Sequence, residues 1–230
     1  MRQGLITALI ALIAGFMGAM AWSLSGLSDA RTRAALVAHP EVLPEMAAAL
    51  QRREAAARLA EIGNDVARPF PGAVLGNRRG TRTLVMFTDY ACGYCRQSER
   101  DVARLIAADP ALRVVIREWP IFPGSEAAAR VALAAAAEGK YAAFHQAMFA
   151  AHPPTPASIT RASARAGLNA VRARGVAASA PVSAELERTA QMARILGFTG
   201  TPSWVANGQV LEGAVGYDRL KAAIADERGA

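Results

Sequence analysis

The residues able to do chemistry lie in one stretch, Phe87-Thr88-Asp89-Tyr90-Ala91-Cys92-Gly93-Tyr94-Cys95-Arg96, which holds both cysteines of the 230-residue chain. They stand as C-x-x-C. The thiolate is the form that attacks a disulfide, so the question is what would ionise one of them. Thr83-Leu84-Val85-Met86-Phe87 is apolar and partly β-branched, the pattern of a short buried strand. After the pair, Val102, Leu105 and Ile106 recur at helical spacing among charged residues. The cysteines therefore fall at a strand-to-helix junction, in the first turn of the helix. The first N–H groups there lack intrahelical partners and the macrodipole favours negative charge, so a thiol ionises more easily. Cys92, nearest the helix end, is the expected attacker. Cys95, three residues on and on the same face, can close the ring and resolve a mixed disulfide.

Two other uses of such a pair are weaker. A zinc site needs about four ligands, and there is no second C-x-x-C, while His39, His145 and His152 are scattered; no metal is expected. A structural disulfide closing so small a loop would remove little chain entropy.

These elements sit in a chain long enough for one large domain with an appended segment. The apolar fraction is 53% and rich in alanine, which favours long helices. Net charge is +7, carried almost wholly by arginine. The arginines are spread along helices between alanines and acids rather than clustered with aromatics, so nucleic-acid binding is not expected. From Gln3 to Ser28 there is no charge, and Leu5 to Trp22 is almost wholly apolar. Residues 1–28 thus read as a secretory signal, with Ala19-Met20-Ala21 fitting a cleavage site, or as an uncleaved membrane anchor over residues 4–27. Either places the rest outside the cytoplasm, where a catalytic disulfide persists. The expectation is a tethered protein unless it is cleaved after Ala21.

Residues 29–62 read as helical, with Pro40 able to open a helix and Pro44 in its first turn or bending it. Leu36, Leu43, Leu50 and Ala57 recur every seven residues with Met46 between, a seam that could pack on the protein's own domain or associate with a second copy. Residues 63–230 form the main domain. Gly63 to Arg82 is a connector with a short edge strand at Ala73-Val74-Leu75. The cysteine-bearing strand and helix follow, then a second strand, Leu112 to Trp119; strand, helix and strand make a βαβ unit with parallel strands. Residues 124–196 read as a helical insertion, with helices predicted at Glu126–Ala137, Tyr141–Ala151, Ser158–Ala166 and Val182–Leu196, the last ending at Gly197. Asn207-Gly208 between short apolar runs signals a hairpin. Asp218 can cap a last helix through Glu227.

The order of strand, C-x-x-C helix, strand, helical insert, Thr-Pro, hairpin and helix resembles the DsbA-like branch of the thioredoxin superfamily, an α/β fold. The match rests on Phe87 to Cys95, Arg117-Glu118-Trp119-Pro120 and Gly200-Thr201-Pro202-Ser203, and covers about Leu75 to Ile224. The Asp-Tyr-x-Cys-Gly-Tyr-Cys form, with His39-Pro40-Glu41-Val42-Leu43 upstream, is similar to ScsC-type periplasmic proteins, whose N-terminal helical extension can oligomerise. The resemblance implies a protein thiol–disulfide oxidoreductase using Cys92 and Cys95, with Gly93 and Tyr94 tuning the thiolate. It also implies that Pro202 is cis and lies opposite the cysteines, with the Thr201 backbone free to pair with a substrate strand. The dithiol itself would carry the electrons, with no other cofactor. Partners would be unfolded or misfolded exported proteins, a membrane redox protein that resets the cysteines, and further copies through the N-terminal helix. Many relatives carry a buried acid six residues before the first cysteine; here that residue is Met86, and Asp89 and Glu118 are the nearest acids able to relay protons. The alternatives are an oligomeric isomerase or reductase, and a peptide-binding module whose cysteines are structural.

Overall fold

Proline and glycine set the breaks in the first third of the chain. The computed structural model describes residues 2–24 and 27–225, and the chain forms two compact units, 1–51 and 52–230. In the first unit, α1 (Arg2–Leu24) exposes apolar side chains, Leu12, Phe16 and Met17 among them. Among the described residues, no helix is long and apolar enough to cross a membrane. The anchor expected over residues 4–27 includes Ser25 and Gly26, which lie outside the described residues. Helices α2 (Leu27–Ala38) and α3 (Val42–Ile62) are interrupted at residues 39–41. The Pro40 ring disfavours helical backbone at His39, so Pro40 falls in the break instead of opening a helix, and Pro44 occupies the first turn of α3. Leu36 and Leu43 therefore belong to different helices. The seam is reduced to Leu43, Met46, Leu50 and Ala57 on α3, the first three exposed by 54–58%.

In the second unit, a 3-10 turn (Gly63–Ala67) and β1 (Val74–Gly76) precede the βαβ unit of β2 (Arg82–Thr88), α4 (Gly93–Ala108) and β3 (Leu112–Glu118). Strands β2 and β3 are parallel, registered from Arg82–Leu112 to Thr88–Glu118. The insertion holds α5 (Glu126–Ala137), α6 (Tyr141–Ala150), α7 (Pro156–Arg165), α8 (Ala170–Ala177) and α9 (Ala180–Leu196). Helix α7 begins two residues before the predicted start. Thr155 and Ser158 cap it reciprocally, and Pro156 takes the first position, where a missing N–H costs nothing. Helix α8 has no counterpart in the sequence reading; Asn169 caps it by accepting from the Arg172 N–H. Gly197 closes α9 in the left-handed conformation.

Strands β4 (Ser203–Ala206) and β5 (Gln209–Glu212) form the expected hairpin, with Asn207 and Gly208 both at positive φ, as a type I′ turn demands. In α10 (Tyr217–Ala225), Asp218 lies within the first turn rather than at the cap, and Glu227 is outside the described residues. The five-stranded sheet runs β1-β3-β2-β4-β5. Alternation along the strands divides the core in two. Leu84, Met86, Val114, Ile116 and Trp204 pack with α4, α10 and the insertion, whereas Val85, Phe87, Val115 and Val205 meet Met192, Leu196, Phe198 and Val66. Trp204 is thus a core residue, its indole N–H donating to the Gly213 carbonyl.

One buried cation ties the second face together. Arg117, 1% exposed, donates to Glu185 at 2.6 Å and to the carbonyls of Asp65, Val66 and Arg68. Burial lowers its pKa and the Glu185 charge opposes that effect. Removing one partner of such a pair leaves an uncompensated charge. Arg117→Met should therefore destabilise the protein by about 3–5 kcal/mol in urea melts. Adding Glu185→Leu should recover most of the loss, and a single variant as stable as the parent would rule out this account.

Candidate active site

Cys92 is the N-cap of α4: its backbone is extended (φ −80°, ψ 117°) and its sulfur accepts from the Cys95 N–H at 3.4 Å. Ser or Asp more often supplies the acceptor at such a position. Both cysteines are free thiols and both are buried. The Thr201–Pro202 peptide is cis, and the Cys92 thiol donates to the Thr201 carbonyl at 3.2 Å. The antiparallel pairing of β4 with β2, Phe87 against Ser203, brings this turn to the cysteines.

The two sulfurs differ sharply in acidity. Hydrogen bonding from the Cys95 thiol, opposed by burial and helped by Thr201 and the backbone N–H groups of Cys95 and Tyr94, brings the Cys92 pKa down to about 5. Burial, and then the hydrogen bond that it gives to Cys92, push the Cys95 thiol far up. Tyr94 contributes through its backbone; its ring is 67% exposed. Around Gly93 there is open space. The Thr88 and Thr201 hydroxyls lie against the sulfurs without completing an ordinary hydrogen bond, and both favour the Cys95 thiolate. This is a dithiol with one proton easily lost and one firmly held.

Of the two acids expected as relays, Asp89 is committed elsewhere. Its carboxylate accepts from the N–H groups of Ala91, Ile121 and Phe122 and from the Ser125 hydroxyl, at 2.7–2.9 Å. With both oxygens engaged, it fixes the loop after β3 beside the cysteine turn. Glu118 is buried and receives hydroxyl protons from Tyr141 at 2.6 Å and Tyr90 at 3.0 Å, both on Oε1. Its Oε2 has no partner. Burial raises its pKa to about 7, against the pull of His145 and the two tyrosines. Glu118 is registered against Thr88, the residue whose hydroxyl lies at Cys95. Met86, where many relatives carry an acid, is fully buried apolar core.

Sequence reading missed the rest of this cluster. His145, one of the three scattered histidines, is 1% exposed. Its Nδ1 lies 2.8 Å from the Tyr90 hydroxyl and 3.3 Å from that of Tyr141. Its Nε2 is 3.2 Å from Glu99 Oε2, an ion-pair contact without hydrogen-bond geometry. Burial lowers the His145 pKa, but Glu99 and then Glu118 outweigh it, and the net shift is upward. The available signal was the four-residue spacing of Tyr141 and His145 on one helix face. His152, also missed, bonds the Ala91 carbonyl at 3.2 Å.

The DSBA-like thioredoxin domain family matches residues 83–225, and the copper resistance protein ScsC N-terminal domain matches residues 30–57. A thioredoxin-like oxidoreductase from Silicibacter pomeroyi is 36% identical, with a TM-score of 0.68 over 73% of this chain and 98% of that one. Proteus mirabilis ScsC in a transitional conformation is 27% identical, with a TM-score of 0.66 over 85% and 90%. A periplasmic thioredoxin-like protein from Salmonella enterica serovar Typhimurium is 26% identical, with a TM-score of 0.65 over 73% and 95%. Among curated proteins, the Na(+)/H(+) antiporter NhaA 3 of Salinispora tropica is 29% identical over 155 residues, which are 66% of this chain and 24% of the antiporter. The chain thus spans about a quarter of the length of the curated relatives it matches. Matched from the strand before the cysteines through the last helix, this chain belongs to the DsbA-like thioredoxin domain family, with an N-terminal segment of the ScsC type.

Proposed function

We propose that this protein is an exported thiol–disulfide oxidoreductase that exchanges disulfides with protein substrates through Cys92 and Cys95. The observation that carries the reading is a helix-capping thiol of pKa about 5, paired with a firmly protonated one, against a cis-proline turn. From the oxidised state, a substrate thiolate attacks Cys92, the Cys92–Cys95 bond breaks, and Cys95 leaves and takes up a proton. A second substrate thiolate then attacks the substrate sulfur of the mixed disulfide, and Cys92 leaves as a thiolate. The substrate loses two electrons to form its disulfide and the dithiol holds them, so no further cofactor takes part. Glu118, beside Thr88, can supply and recover the Cys95 proton. As long as Cys92 is protonated its thiol occupies the Thr201 carbonyl; ionisation removes that donor and frees the carbonyl for an extended substrate.

The acidity of Cys92 favours disulfide donation. Ionisation from a pKa of about 5 stabilises the reduced state at neutral pH by about 3 kcal/mol, or roughly 60 mV toward the oxidising side. The substrates are unfolded or misfolded exported proteins, and a membrane redox protein resets the dithiol. A periplasmic setting is supported by the apolar α1 and by the likeness to a periplasmic thioredoxin-like protein of Salmonella enterica. Residues 4–27 would serve as tether, or cleavage after Ala21 would release the protein. The exposed Leu43, Met46 and Leu50, with the ScsC-type N-terminal match, favour a second reading: an oligomer kept reduced that isomerises wrong disulfides.

Equilibration in glutathione buffers separates the two. A midpoint near or above about −150 mV marks the donor, and one below about −200 mV marks the isomerase or reductase. Cys92→Ser should abolish exchange, and Cys95→Ser should accumulate mixed disulfides with substrate; full activity in Cys92→Ser would leave only peptide binding with structural cysteines. The pH dependence has a defined sign. The folded Cys92 pKa of about 5 lies below the unfolded thiol value of about 8.5, so the stabilisation of the reduced fold is complete above the latter. It is lost as pH falls through about 5. Urea melts should show the reduced form gaining on the oxidised form between these limits, and a constant difference would contradict a depressed pKa.

A further inference from the structure

We propose that His145 is a positioning residue for the thiol pair: bonded through Nδ1 to Tyr90 and paired through Nε2 with Glu99, it clamps both flanks of the C-G-Y-C motif to the helical insertion. The inference rests on the dithiol reading above and adds to it a residue outside the cysteine motif. Tyr90 lies two residues before Cys92, in the turn that leads into α4. Glu99 lies four residues after Cys95, one turn further along the same helix. The described bonds and ion pairs that link these two flanks through a single side chain run through His145, at 2.8 Å to one and 3.2 Å to the other. Nothing in its own helix requires this. A histidine on α6 buried for packing alone would cost less as Phe or Leu, because burying an ionisable ring without partners is unfavourable.

Proton counting shows how the clamp is wired. Tyr90 and Tyr141 both donate their hydroxyl protons to Glu118 Oε1. The Tyr90 oxygen is then left as an acceptor, so His145 Nδ1 must carry the proton between them. Nε2 faces a carboxylate oxygen, so that contact also needs one proton, held either by the ring or by Glu99. The ring therefore bridges the turn before Cys92 and the helix after Cys95 with a donor toward the first and a shared proton toward the second. Glu99 is the member that touches solvent, its side chain 21% exposed, on a groove lined also by Gly93, Arg96 and Phe149. The remaining groups against the ring are Tyr141 from its own helix, Glu118 from β3, and Phe149, whose ring packs at 4.9 Å.

The alignment held by this clamp sets one of the contacts that, with the Cys95 thiol and Thr201, lower the Cys92 pKa. The Cys92 sulfur sits 3.4 Å from the Cys95 N–H, near the outer limit for such a contact, so a small rotation of the turn against α4 weakens it. Releasing either flank should raise the Cys92 pKa. The test uses the reduced full-length protein, with Cys92 followed by thiolate ultraviolet absorbance and by alkylation rate across pH. His145→Phe keeps the ring and removes both nitrogens. Tyr90→Phe breaks one arm without changing any charge. At a pH near 5, a one-unit rise in Cys92 pKa lowers the thiolate fraction and the alkylation rate about fivefold. The clamp requires both variants to shift upward. A shift in His145→Phe with none in Tyr90→Phe would reduce the effect to lost charge and overturn the positioning role, as would no shift in either. If His145→Phe does not fold, Tyr90→Phe alone decides. A parent Cys92 that titrates as an ordinary thiol is a different result, and it removes the dithiol reading itself.

Discussion

At the start of α4 the unpaired N–H groups meet the sulfur of Cys92 where most helices offer a hydroxyl or carboxylate oxygen. Sulfur is a weak acceptor while it is protonated and a strong one once ionised, so the helix end is satisfied better by the thiolate than by the thiol. That difference adds to the hydrogen bond from the Cys95 thiol, the largest influence, and to Thr201, and together they depress the pKa even though the residue is buried. Cys95, one turn inside, meets the opposite balance. It has no free helix end to face, and burial prevails. Two identical side chains three residues apart thus acquire different tasks from their surroundings alone.

The rest of the second unit holds that helix end in place. β2 delivers the turn, the β2–β4 pairing delivers the cis-proline peptide, and Asp89 locks the loop after β3 to the same turn through four hydrogen bonds. Glu118 differs in having a free oxygen, a raised pKa and a place beside Thr88.

What could be read from the sequence followed from local rules. Alternation and β-branching marked β2 and β3, Asn207-Gly208 marked the hairpin, and the C-x-x-C at a strand–helix junction marked the thiols. What could not be read depends on residues brought together by the fold. Tyr90, Glu99, Glu118, Tyr141 and His145 come from four different elements, and nothing in the spacing of the first three announces that they meet. Helix α8, made of Ala, Val and Arg with one Gly, has too little apolar periodicity to stand out, and its start depends on a single Asn169 cap. Leu36 falls outside the seam because a heptad count takes no account of the break that Pro40 imposes on the backbone.

The Arg117-Glu118-Trp119-Pro120 run, which in the sequence served only as a point of resemblance, has a physical meaning in the fold. Successive residues of a strand point to opposite faces. At the end of β3 this sends Arg117 to the face covered by α9 and the 3-10 turn, and Glu118 to the face covered by α4 and α6. Each face is thus tied by a buried charge to the strand flanking the cysteine-bearing β2. Buried charges are weak sources of stability, since apolar replacements of equal volume often fold as well. Their partners, however, are directional, and a packed apolar layer can slide where a hydrogen-bonded one cannot. A site whose acidity depends on how the Cys95 thiol, Thr201 and the Cys95 N–H at 3.4 Å meet one sulfur needs that resistance to sliding more than it needs additional stability.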